Sequence, residues 1–222
     1  MGTLYLVRHG QASFGAADYD QLSELGARQC QRLGAYFAAS GLRFDAVLRG
    51  SLKRHAQSLD AIALGLGELP ETSVWPGLNE YDSEAVIRAV HAGPLEPART
   101  PEAYRHHFRL LRQGLRAWAA GEVTPKGMPS FAAFNAGILA ALDHVRAQHA
   151  GDVLMVSSGG PISTAVAHVL GAPGATMIEL NLRLRNSAVT EFAFTPKRHT
   201  LHSFNHLPHL VDAELADWIT YT

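Results

Sequence analysis

Cysteine is nearly absent: Cys30 is the only one in 222 residues. One thiol cannot close an internal disulfide, which excludes a disulfide-stapled secreted scaffold and points to a reducing, cytoplasmic setting. Charge of one sign is missing as well. Nineteen Lys and Arg against twenty Asp and Glu leave a net charge of −1, so no electrostatic footprint for nucleic acid or an anionic membrane is expected. No apolar run approaches the roughly 20 residues that a membrane span needs. The start, MGTLYLVRHG, lacks a basic stretch followed by a long apolar segment, so no secretory signal is expected. Leu6 stands where a myristoylation signal has Ser or Thr. Internal repeats and low-complexity segments are absent too.

What remains is an ordinary globular composition, 47% hydrophobic, arranged as strands alternating with helices. Thr3–Val7 reads as a buried strand, followed by a polar loop, ASFGAADYDQ. Ser23 is placed to cap a helix running to about Ala39, with Gly41 at its stop. A second strand spans Asp45–Arg49. Leu52, Ala56, Leu59, Ile62 and Leu66 then recur at helical spacing. TSVWPGLNEY holds a third, short strand and a turn.

Residues 82–130 change character. GPLEPARTP contains three prolines and predicts an irregular crossing; Thr100 before Pro101 opens a helix to about Ala120. The block reads as a helical insertion beside the sheet. A helix from Ser130 to about Gln148 returns to the core, DVLMVSS is a buried strand, and GGPIS starts the next helix. SAVTEFAF and HTLHSFN flank TPKR as an antiparallel hairpin, and Asp212 is expected to cap a short terminal helix. The fold class that follows is α/β: three αβα layers, a mostly parallel sheet and an antiparallel edge.

In such sheets ligands sit outside the carboxyl ends of the strands. The first strand delivers Arg8 and His9 to that rim, and other strand ends bring Arg49 to Arg54, Glu80 and Ser157 to Gly160. Two arginines in one pocket match the oxygens of a phosphoryl group. A neutral imidazole can attack phosphorus and hold the group covalently, and a carboxyl can protonate the leaving alkoxide. Backbone N–H groups at the helix start near Gly159 and Gly160 would add donors. Phosphoryl transfer depends mostly on positioning and charge stabilisation, so this set suffices without a cofactor or metal. Taken singly, each residue has a plainer reading, Arg8 and His9 as a strand-end pair and Arg54 as a surface residue.

LVRHG, LSELGARQ, SLKRHAQS, LNE, SGGPI, RNSAVTEF and NHLPHL, in that order, resemble the histidine phosphatase superfamily, the phosphoglycerate mutase-like group. The resemblance covers nearly the whole chain. It implies one domain over 1–222 with the insertion at about 82–130, His9 as the phosphorylated nucleophile, and Arg8 and Arg54 on the phosphate. It also implies Glu80 as proton donor and Gln11 lining the pocket. Ser158 and Gly159 complete the substrate-binding set.

One departure stands out. The family usually carries a second histidine before the paired glycines, where this chain has Ser158. Losing one preorganised donor costs on the order of a hundredfold in rate, so weakened turnover is expected. The alternative is a pseudo-phosphatase that binds a phosphorylated ligand without efficient turnover. His55 is the nearest substitute in sequence, but one step from Arg54 on a helix turns it about 100° away. The insertion's Arg88, Arg99, Arg105, Arg109, Arg112, Arg116 and Lys126 read as solvated helix faces, which favours hydrolysis of a small phosphorylated substrate over mutase activity. Apolar residues left exposed there could support a homodimer. His199, His202, His206 and His209 have mixed spacing and no interleaved Cys, Asp or Glu, so no metal site is expected. His209 instead reads as a buttress of the rim, and Cys30 as a packed thiol.

Overall fold

The computed structural model describes residues 1–13, 20–94 and 100–221. Most of the loop expected at 12–21, most of the crossing expected at 93–101, and Arg99 lie outside the described residues. In chain order the strands are β1 (Gly2–Arg8), β2 (Ala46–Arg49), β3 (Thr72–Val74), β4 (Val153–Ser157), β5 (Val189–Thr195) and β6 (Arg198–His206). The helices are α1 (Glu24–Ala39), α2 (Lys53–Leu66), α3 (Ser83–Arg88), α4 (Pro101–Ala119), α5 (Phe131–Gln148), α6 (Gly159–Val169) and α7 (Gly174–Asn181).

The strands form one sheet in the order β3-β2-β4-β1-β5-β6. β1, β2, β3 and β4 run parallel, whereas β5 is antiparallel to both β1 and β6. The parallel strands therefore end together, with Arg8 opposite Ser157 and Arg49 opposite Val156. This is the mostly parallel sheet with an antiparallel edge that the alternation of elements predicts.

Side chains alternate across the sheet as pleating requires. Leu4, Leu6, Val153 and Met155 face a core shared with α3 to α7, including Val86, Ile87, Leu115, Trp118, Ile138 and Ile178. Val7, Val47, Leu154 and Val156 face the opposite core, closed by Cys30, Leu33 and Phe37 of α1 and Leu59 and Ile62 of α2. Three layers result, and the helices of residues 82–130 pack into the first core. Cys30 is fully buried and its thiol is pushed up to about 11 by desolvation. No helix among the described residues is long and apolar enough to cross a membrane.

Three caps follow the sequence reading. Ser23 accepts from Gly26 N–H, Thr100 from Ala103 N–H with Pro101 in the first helical turn, and Ser130 from Ala133 N–H. Two features differ. α7 was not expected: it is eight residues long and has no side-chain cap. The terminal segment Ala213–Trp218 is a 3₁₀ turn, and Asp212 does not cap it, because its carboxylate pairs instead with Arg32 of α1.

Candidate active site

His9 leaves the end of β1 with its backbone fixed from two sides. Its N–H donates to Ser157 O at 2.9 Å, and its carbonyl accepts from Ser187 N–H at 3.2 Å and Asn186 Nδ2 at 3.3 Å. Ser187 does this from a left-handed conformation, φ 57°, a cost that folds accept where surrounding contacts dictate the geometry. Its hydroxyl meets His209 Nε2 at 2.9 Å, so His209 lies one residue behind the rim and braces it.

His9 is 3% exposed. Its Nδ1 donates to Gly10 O at 2.7 Å, which fixes the tautomer and leaves the lone pair on Nε2. Burial, then Arg54, Arg8 and His55, hold the imidazole well below its ordinary pKa. The ring is therefore neutral and nucleophilic at neutral pH, among cations rather than packed into the apolar cores.

Both arginines are almost enclosed. Arg8 donates through Nη1 to Leu184 O and to Tyr221 O, the latter at 3.0 Å. Arg54, in the first turn of α2, donates through Nη1 to Asp20 at 2.8 Å. Asp20 also accepts from Lys53 N–H at 2.9 Å, capping a helix whose own N-cap residue, Leu52, has no side chain to offer. The sequence reading missed Asp20, Leu184 and Tyr221. Backbone carbonyls leave no compositional trace, and one aspartate in a polar loop carries no motif.

Glu80 follows the short turn after β3. The strand-end brace is Ser157, whose hydroxyl donates to Leu78 O at 2.7 Å. Both Glu80 carboxylate oxygens accept from Gly160 N–H, at 3.1 and 3.2 Å. The helix start expected to cradle a phosphate thus holds the acid. A Cβ at residue 160 would overlap Glu80 Oε1 and come within 2.8 Å of the Tyr81 ring, and one at Gly159 would overlap Asn181. Desolvation raises the Glu80 pKa above its ordinary value, against the lowering pull of Gly160 N–H, Arg54 and Arg8.

Gln11 accepts from Ser23 Oγ–H through its Oε1 at 2.8 Å, and its amide N–H end is the donor it could offer an anionic ligand. Ser158 is fully buried and bonds His55 Nε2 at 2.7 Å. His55, which helical rotation had set apart from the site, lies with its ring 5.8 Å from that of His9. Rotation about the helix axis does not separate them, because α2 begins at the strand rim, directly after β2. Arg54 and His55, consecutive in that first turn, are both buried there. Among the described residues no three His, Cys, Asp or Glu converge as a metal site, the late histidines included.

The sequence profile of the histidine phosphatase superfamily, branch 1, matches residues 4–207. No curated protein matches the sequence. Among solved structures, the chain is similar to a phosphoserine phosphatase variant from Entamoeba histolytica crystallised with phosphoserine. That pair shares 20% identity and a TM-score of 0.64, covering 95% of this chain and 100% of the other. It is similar also to an α-ribazole-5′-phosphate phosphatase, described as putative, from Escherichia coli, at 22% identity and TM-score 0.66, covering 92% and 96%. A phosphoglycerate mutase from Bacillus anthracis aligns at 19% identity and TM-score 0.63, covering 94% of each chain. At such identities the likeness is one of fold.

Proposed function

This chain belongs to the histidine phosphatase superfamily, and from that premise we propose that it is a metal-independent phosphomonoester hydrolase working through a phosphohistidine at His9. The observation that carries the reading is the His9 ring. Its Nδ1–H is committed to Gly10 O, so its Nε2 lone pair is available beside the two guanidinium groups of Arg8 and Arg54.

The reaction has two displacements. Nε2 of His9 attacks phosphorus, the ester P–O bond breaks, and protonated Glu80 gives its proton to the departing alkoxide. Glu80, now a carboxylate, takes a proton from water as the water oxygen attacks phosphorus. The N–P bond breaks and inorganic phosphate leaves. Arg8 and Arg54 stabilise the charge on the equatorial oxygens in both steps. A raised Glu80 pKa favours the acid role and a lowered His9 pKa favours the nucleophile.

Hydrolysis is preferred to phosphoryl shuttling because the two arginines that act on both His9 and Glu80, Arg8 and Arg54, suit a single phosphoryl group. A mutase needs further positive charge for a second phosphate. The competing reading, a binding protein without turnover, rests on Ser158 standing where the family has a histidine.

The test is phosphate release from 4-nitrophenyl phosphate with chelator present, together with trapping of an acid-labile, base-stable phosphoprotein. Turnover that falls by about a thousandfold or more in His9→Ala, with loss of the trapped species, is expected. Equal rates for parent and His9→Ala overturn the nucleophile assignment. Saturable phosphate binding without product favours the binding protein.

A further inference from the structure

The superfamily's second histidine is missing, yet the space beside His9 is not empty of imidazole. His55 and Ser158 come from α2 and from the residue between β4 and α6, and they meet at 2.7 Å. Ser158 follows Ser157, whose carbonyl receives His9 N–H at 2.9 Å. The pair is therefore built onto the same backbone register as the nucleophile. Both residues are fully buried, and the His55 ring lies 5.8 Å from that of His9.

His55 Nδ1 is buried and has no hydrogen-bond partner among the described residues. It lies against Gly50, where an added Cβ would overlap it. A buried N–H without an acceptor is rarer and costlier than a buried lone pair without a donor, so the proton sits on Nε2. Nε2–H then donates to Ser158 Oγ. Desolvation, Arg54 and Arg49 push the His55 pKa down to about 3, so the ring stays neutral and keeps this single proton. Ser158 has one hydroxyl proton of its own, and no acceptor for it is found among the described residues. A buried hydroxyl with an unused proton, next to the nucleophile, calls for an explanation.

We propose that His55 and Ser158 together replace the superfamily's second histidine. His55 fixes the Ser158 oxygen from behind, and the Ser158 hydroxyl donates its proton as a hydrogen bond to the phosphoryl group carried on His9. His55 is a positioning residue, acting through Ser158; Ser158 is the catalytic donor. No bond to hydrogen breaks in the step. A donor already oriented in a water-excluded site is worth far more to a developing charge than the same hydroxyl in water. The inference rests on the phosphohistidine reading and adds the donor set that reading otherwise lacks.

The experiment compares the parent with His55→Phe, His55→Gln, Ser158→Ala and the double variant His55→Phe/Ser158→Ala. Readouts are kcat and KM on 4-nitrophenyl phosphate, calorimetric affinity for orthovanadate and for inorganic phosphate, and thermal unfolding. Ser158→Ala and His55→Phe are each expected to lower kcat by roughly tenfold to a hundredfold, with KM changed by less than about threefold. The double variant should be no slower than the worse single one, since both remove one donor. His55→Gln keeps an N–H in the Nε2 position and should stay close to the parent. Vanadate, which mimics the transferring group, should lose affinity in step with kcat while phosphate loses less.

The proposal is overturned if folded Ser158→Ala keeps the parental kcat and vanadate affinity, if losses multiply in the double variant, or if folded His55→Gln is as slow as His55→Phe. Should His55→Phe fail to fold, Ser158→Ala and His55→Gln still decide. A parent that binds vanadate but turns nothing over counts against the hydrolase reading alone, and the vanadate series then judges the pair by itself.

Discussion

At the scale of residues, the decisive feature is that burial moves two titrating groups in opposite directions. His9 is held below its ordinary pKa and Glu80 above its own. In the proposed reaction the first displacement needs the neutral imidazole and the protonated acid at once. Raising the pH removes the Glu80 proton, and lowering it charges His9, so kcat/KM should peak on the acid side of neutrality, with the basic limb belonging to Glu80. Glu80→Gln should abolish that basic limb. Its penalty should also depend on the leaving group: small for 4-nitrophenyl phosphate, whose phenolate leaves unaided, and on the order of a hundredfold for an alkyl phosphate, whose alkoxide needs the proton. Parallel losses on the two substrates would take the general-acid role away from Glu80. The placement of His9, Arg54 and Glu80 at the rim was legible in the sequence because each follows a strand or opens a helix there. His55 was not, since its position depends on α2 meeting the rim end-on. The carbonyls of Leu184 and Tyr221 that seat Arg8 were not, since any residue could supply them.

At the scale of elements, close approach fixes the parts that hold the arginine. α1 and α2 cross with Gly34 against the Ile62 carbonyl and Gly65 against the Gln31 carbonyl, and a Cβ at either glycine would overlap backbone. This crossing sets where α2 begins, hence where Arg54 stands. Gly34→Ala should cost about 1–3 kcal/mol by overpacking, a drop of several degrees in the unfolding midpoint for a chain of this length, roughly 2–4 °C per kcal/mol. It should lower kcat as well, because Arg54 moves with its helix. An unchanged midpoint would mean that the helices part without cost. The same scale shows what sequence pattern can and cannot specify. The starts of α1, α4 and α5 were readable because Ser23, Thr100 and Ser130 supply N-caps that the backbone uses. α7 was invisible: it follows Pro173, lacks a capping side chain, and buries only Met177 and Ile178. Asp212 looked like a cap and is a salt-bridge partner, a tertiary choice that local spacing does not encode. The Gly159–Gly160 helix start reads in sequence as a set of donors for a phosphate, and in the structure Gly160 N–H donates to the Glu80 carboxyl.

For the whole molecule, the same burial that prepares the site makes the fold sensitive to acid. His55 and His209 are both pushed down to about 3, each chiefly by desolvation, and His9 lies on the same side. A histidine whose folded pKa is depressed binds its proton more readily when unfolded, so stability is lost as the pH drops below the unfolded value of about 6.5. At pH 4 the gap to the unfolded value is about 2.5 pK units, on the order of 3 kcal/mol for each of His55 and His209. Glu80 runs the other way: its raised folded pKa favours the folded state as it takes up a proton, and it offsets part of the loss. Two such histidines already approach a typical domain stability of about 5–15 kcal/mol. The unfolding midpoint should therefore fall steeply between pH 6.5 and 4. In His209→Gln the slope should flatten, because one of the titrating rings is gone. A midpoint that stays level across that interval, or an unchanged slope in His209→Gln, would show that these rings take up protons without unfolding the protein. The consequence reaches back to function. Charging of His9 and unfolding of the chain both lower activity on the acid side, and they separate on return to neutral pH. Loss from His9 titration reverses within the mixing time, whereas loss from unfolding recovers only at the rate of refolding.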